Sequence, residues 1–169
     1  MTAVNPTKVN LISWWKLDET SGTRYDAHGS NNLSDINTVG YATGKKGNAA
    51  DFELDNKEHL KINDNASLSF DNESFTCVAW VKFESVDANQ TKAILSKWVY
   101  QTNKREYELA KGYGRQKFVF KVSQNGTADF ESNEVIANTF GDVSTGVWYF
   151  VAGVHDSVND KLIVYVNDT

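Results

Sequence analysis

This chain has almost no helical signal. No stretch of it carries apolar residues at sustained three- and four-residue spacing, which excludes a helical bundle. Proline occurs once, at Pro6, so the turns are made by other residues. Cysteine also occurs once, at Cys77, which rules out an internal disulfide. No apolar run approaches the ~20 residues of a membrane-spanning helix, so membrane insertion is not expected. No strongly basic cluster exists. The stretch 104–117, KREYELAKGYGRQK, is the most basic and still holds two Glu, and the net charge is −5. A nucleic-acid partner is disfavoured, because a phosphate backbone needs a basic face. The first ten residues, MTAVNPTKVN, lack the apolar core of a signal peptide.

What the chain does have is alternation and punctuation. Aromatics are plentiful, and Asn, Asp, Ser, Thr and Gly interrupt the apolar segments about every ten residues, the pattern of an all-β domain. Residues 1–10 read as a polar arm and 11–169 as one domain. Residues 11–17 (LISWWKL) read as a strand and 18–35 as a long polar loop. Segments 49–54 and 59–63 read as strands joined by a turn. Residues 74–85 form the strongest strand signal. Phe75, Cys77, Ala79, Val81 and Phe83 line one face, with Val78 and Trp80 on the other, so this strand is expected at the centre of a sheet. Segments 93–100, 105–112 and 116–123 follow as a meander, and 127–137 adds another strand. In the first of the last two strands, Trp148, Phe150, Ala152 and Val154 share a face. In the second, Leu162, Val164 and Val166 oppose Ile163 and Tyr165. About ten strands without helices imply a sandwich or barrel.

Several segments together resemble the laminin-G-like, concanavalin A-like family. They are W-K-L-D-E-T-S-G at 15–22 with Asp26, G-K-K-G-N-A-A-D-F at 44–52, S-F-T-C-V-A-W-V at 74–81, I-L-S-K-W at 94–98, V-W-Y-F-V-A-G-V at 147–154 and L-I-V-Y-V-N at 162–167. The resemblance implies an antiparallel two-sheet β-sandwich, the concanavalin A-like jelly roll. Within it Gly44 and Gly47 would allow a tight bend, and Trp80 and Trp148 would be large buried anchors. Family members continue past the Tyr-Val-Asn strand, so this sandwich is expected to lack its last strand or strands. Either these residues are part of a longer chain, or a neighbouring subunit supplies the missing strand.

Catalysis is not expected. Glu53, Asp55 and Glu58 resemble the Glu-x-Asp-x-x-Glu strand of β-glucanases, but Asp55, Asn56 and Lys57 read as a turn that would separate the two carboxylates. Neighbouring His155, Asp156 and Ser157 point to different faces of a strand end and cannot form a triad. Cys77 reads as a small buried residue rather than a nucleophile. For metal, the loop 18–35 offers hard oxygen ligands suited to Ca²⁺, with Asp26 first and Asn31 second, and the resemblance implies a structural calcium near this loop in some members. A plain solvated loop is the alternative.

For a glycan, an aromatic platform flanked by planar polar groups is needed. The region 96–108 supplies Trp98, Tyr100, Gln101, Asn103, Arg105 and Tyr107. Trp98 belongs either to that platform or to the core. The expected function is a non-catalytic recognition module for carbohydrate or a surface glycoconjugate, placed outside the cell, on the cell surface or on a virion. The alternative is a decoration or assembly subunit of a virion, fibre or cell envelope that makes mainly protein contacts.

Overall fold

From Phe75 onward apolar residues recur at alternate positions, and extended segments patterned this way satisfy their backbones by pairing side by side. The computed structural model describes residues 10–99, 104–123, 125–126 and 133–167. Among them the strands run β1 (Ser34–Ile36), β2 (Gly40–Thr43), β3 (Asn48–Asp51), β4 (His59–Lys61), β5 (Phe75–Lys82), β6 (Lys92–Val99), β7 (Lys104–Lys111), β8 (Phe118–Val122), β9 (Asn133–Ile136), β10 (Trp148–Asp156) and β11 (Lys161–Val166). The described residues hold one 3-10 turn, Ala66–Leu68, and no α-helix. The chain divides into two compact units, Met1–Leu68 and Ser69–Thr169.

The first unit contains two small antiparallel pairs, β1 with β4 and β2 with β3. Gly44 and Gly47 close the β2–β3 turn. The Gly44 N–H donates to the Gly47 carbonyl at 2.9 Å, and Gly47 sits at φ +70°, where a side chain would be strained. Residues 54–57 form the expected turn, but it does not join a hairpin, because β3 pairs with β2 and β4 with β1. LISWWKL is not a strand. Among the described residues its one ladder contact is the bridge Trp15↔Asp26, and Leu17 at φ 60° breaks the extended path. Ile12 and Trp14 are exposed, so its apolarity does not translate into pairing.

The second unit is an antiparallel sandwich. One sheet has the order β11-β10-β5, the other β6-β7-β8-β9, so the expected meander is present. Cys77, Tyr149, Val151 and Val166 from the first sheet pack against Tyr107, Leu109, Phe118, Phe120 and Val122 from the second. Full burial of side chains such as Phe118, Phe120 and Leu109 contributes roughly 2–3 kcal/mol each. Trp148, Phe150, Ala152 and Val154 do share a face of β10, but the core uses the other face, through Tyr149 and Val151. Gly153 explains the choice. A Cβ there would lie 2.3 Å from Phe120 Cδ2, so the missing side chain is where the opposite sheet's aromatic ring enters.

Two anchor assignments change accordingly. Trp80 is 50% exposed rather than buried, and its ring lies 5.5 Å from that of Phe150, directly opposite on β10. Trp148 is half-buried, with the Lys82 ammonium 5.3 Å from its ring. Strand β5 is not central: within its sheet it neighbours β10 alone among the described residues. A two-layer sandwich buries one face of each strand, and apolarity on both faces does not add a neighbour.

Candidate functional site

In REYELAK, Tyr107 and Leu109 alternate into the hydrophobic core and leave Glu108 on the other face, while Arg105, which strict alternation would put with Tyr107, is redirected by an irregularity in the ladder. A β-bulge between Lys97 and Trp98 brings Trp98 opposite Arg105 in the β6–β7 ladder. The Arg105 guanidinium carbon then lies 5.9 Å from the Trp98 ring centroid, and the Lys121 ammonium 6.0 Å. Lys121 pairs with Glu108 at 3.2 Å and with Glu134 at 3.7 Å, and Arg115 pairs with Glu134 at 3.0 Å. The result is a polar band crossing all four strands of one sheet, with an aromatic ring at its β6 end. Its middle is well buried: the side chains of Glu108 and Lys121 are 5% and 14% exposed. A buried carboxylate and ammonium are tolerated because each has the other as partner.

Of the six residues read from sequence as a glycan platform, Trp98 and Arg105 come together. Tyr107 does not join them. Its ring packs in the core 5.2 Å from Phe75 and 5.7 Å from Phe70, and burial pushes its phenol above the ordinary range. Tyr100, Gln101 and Asn103 lie outside the described residues. Sequence reasoning missed Glu108, Lys121 and Glu134. The available signal was charge at alternate positions of otherwise apolar strands, which marks a polar sheet face.

Asp26 and Asn31 form a different kind of centre, within the first unit. Asp26 Oδ1 accepts N–H bonds from Trp14, His28 and Gly29, each at 2.9 Å, and Oδ2 accepts one from Asn31 at 3.2 Å. Partial burial works to raise its pKa. The bonds from Trp14, Gly29 and His28, with one from Ser13, outweigh that and hold the carboxyl well below the usual range. The Asn31 side chain donates to Ser13 Oγ and Ser67 Oγ, and its Oδ1 accepts from Asn65 and Ser67. N–H and O–H donors already take most of the lone pairs that calcium would need, so the donor set around Asp26 and Asn31 is arranged as a loop scaffold.

The carboxylates Glu53 and Glu58 sit at a turn. Glu58 accepts from the Glu53 N–H at 2.9 Å and from the Asn56 amide at 3.0 Å. His155 Nδ1 is 2.9 Å from the Glu73 carbonyl, Asp156 holds Asn159, and the Ser157 hydroxyl meets Ser74 at 3.0 Å. The three groups thus have separate partners and make no relay. Burial pushes the Cys77 thiol up to about 12, which keeps it protonated at neutral pH.

The sequence model of the laminin G-like family described as the concanavalin A-like lectin/glucanases superfamily matches residues 54–169. No curated protein and no solved structure matches the chain.

Proposed function

The chain belongs to the concanavalin A-like lectin/glucanases superfamily, and from that premise we propose that it is a non-catalytic module binding carbohydrate or a surface glycoconjugate through the face that carries Trp98. The superfamily supports a lectin-like or binding role, and it also includes glycosidases. The observation that carries the finer reading is the aromatic ring of Trp98 at the β6 end of the polar band, with the Arg105 guanidinium and the Lys121 ammonium 5.9 and 6.0 Å from its centroid. An aromatic face takes the C–H side of a sugar, and flanking polar groups take its hydroxyls. The non-catalytic part is supported by Glu53 and Glu58, which hold a turn instead of facing each other across a cleft. Glu108 and Glu134 share one ammonium, so neither stands as a lone acid.

The test is a glycan array with wild type, Trp98→Ala and Tyr100→Ala, each checked for native circular dichroism. Binding by wild type and a loss of at least tenfold in Trp98→Ala are expected. Equal binding by a folded Trp98→Ala would remove this face from consideration. A reducing-sugar assay on mixed β-glucans is expected to stay flat.

One observation favours the assembly reading. The outer face of the β11-β10-β5 sheet shows Val78, Trp80 and Tyr165 about half-exposed, and β11 has one neighbour in its sheet among the described residues. A face and an edge of this kind suit a protein contact. Light scattering during size-exclusion chromatography separates the two readings, with a monomer expected for the module and an oligomer for the subunit.

A further inference from the structure

Lys111 ends β7 and is fully buried, yet it has no carboxylate within ion-pair distance among the described contacts. Its ammonium donates instead to two backbone carbonyls of one tight loop, those of Asp87 and Gln90. The same loop is pinned on either side. The Gly114 N–H reaches the Ala88 carbonyl at 2.7 Å, and the Gln116 amide reaches the Val86 carbonyl at 3.0 Å. Within it Asp87 Oδ1 accepts the Asn89 N–H at 2.8 Å. Carbonyl oxygens converging on a compact positive charge are what a protein builds around a bound cation. Here the charge arrives on the protein's own side chain. The register places Lys92 opposite Lys111, and Lys92 avoids the site by donating to Ser85 Oγ at 3.1 Å.

We infer that the loop Val86–Gln90 is a cage for a compact monovalent cation, and that the Lys111 ammonium is its tethered occupant. The loop's fold then depends on a charge of this size at this place rather than on the lysine chain itself. Removing the chain should leave a site that a free ion of similar size fills. An apolar chain of similar length should fill the volume and still leave the Gln90 carbonyl without its ammonium donor, and the Asp87 carbonyl with the long Gln90 N–H bond of 3.3 Å in place of two donors, which is costly when buried.

The experiment compares thermal melting of wild type, Lys111→Ala and Lys111→Met in ammonium chloride and in choline chloride at matched ionic strength. Both variants should melt below wild type. Lys111→Ala alone should regain melting temperature in ammonium, saturably, and not in choline. No ammonium-specific gain in Lys111→Ala, or a Lys111→Met as stable as wild type, would overturn the inference. If Lys111→Ala does not fold, hydrogen exchange decides on Lys111→Met. The Gly114 amide, which bonds Ala88, should exchange at least tenfold faster than in wild type, and unchanged protection would equally overturn it.

Discussion

At the scale of single residues, charge and burial decide more than hydrophobicity. Asp26 is half-buried, but three N–H groups converge on one of its oxygens, and such charge-assisted bonds contribute most when the acceptor is ionised. Its folded pKa lies below the unfolded value of about 3.9, so its stabilisation is full above that pH and is lost as pH falls through the folded value. Asp26→Asn keeps the shape and removes the charge. Urea unfolding should show it about 2 kcal/mol less stable than wild type at neutral pH, with the gap closing below pH ~4. A chelator should leave the wild-type melting temperature unchanged, since the Asp26 lone pairs are held by N–H groups. Cys77 gives the opposite case, a group that burial keeps neutral, with its thiol pushed up to about 12. Iodoacetamide should leave the folded protein unmodified at neutral pH and label it in denaturant. Cys77→Ser should cost about 1–3 kcal/mol, because it buries a hydroxyl in an apolar cluster.

At the scale of elements, the two sheets are matched at Gly153 and Phe120. A Cβ on residue 153 would meet Phe120 Cγ at 2.5 Å, and the ring cannot withdraw because it sits in the core among Phe75 and Val151. Gly153→Ala should cost about 2 kcal/mol. Combined with Phe120→Leu, the total loss should be smaller than the sum of the two, and a double-mutant cycle by denaturant unfolding reads that coupling. This match also marks where sequence stops being informative. Strands β5, β7, β8, β10 and β11 were legible because each carries apolar residues at successive alternate positions. Which face of β10 is buried was not, because the buried face carries Gly153 and His155 while the outer one carries Trp148 and Phe150. LISWWKL misled for a related reason: its composition is that of a strand, but its Trp14 backbone is taken by Asp26 and Ala27 from the following loop. At the candidate site, Trp98 and Arg105 could be picked out by residue type. Tyr107 could not be separated from them, since only the bulge beside Trp98 tells which side chains leave the core.

At the scale of the whole molecule, the two units are stabilised by different means. Every residue of the hydrophobic cluster lies in Ser69–Thr169, including the fully buried Leu109, Phe118, Phe120 and Val151. In Met1–Leu68 the one buried hydrophobic among the described residues is Val39, accompanied by Arg24 and Asn31. That unit is tied by hydrogen bonds: Arg24 to the Gly22, Val39 and Gly40 carbonyls, Asp35 to the Gly22 and Val39 N–H groups, and Asn31 to Ser13, Ser67 and Asn65. A hydrogen bond nets about 1 kcal/mol, whereas a fully buried large apolar side chain contributes roughly 1.5–3 kcal/mol. The second unit should therefore unfold at the higher free energy. Native-state hydrogen exchange in increasing denaturant reads this directly. The amides of Arg24 and Leu33, which bond each other's carbonyls at 2.9 Å, should open at lower denaturant than those of Val119 and Val151. Arg24→Met should lower the first opening further and leave the Val119 and Val151 amides unmoved. A single opening shared by all four amides would mean that hydrogen bonds and the aromatic core stabilise one cooperative body.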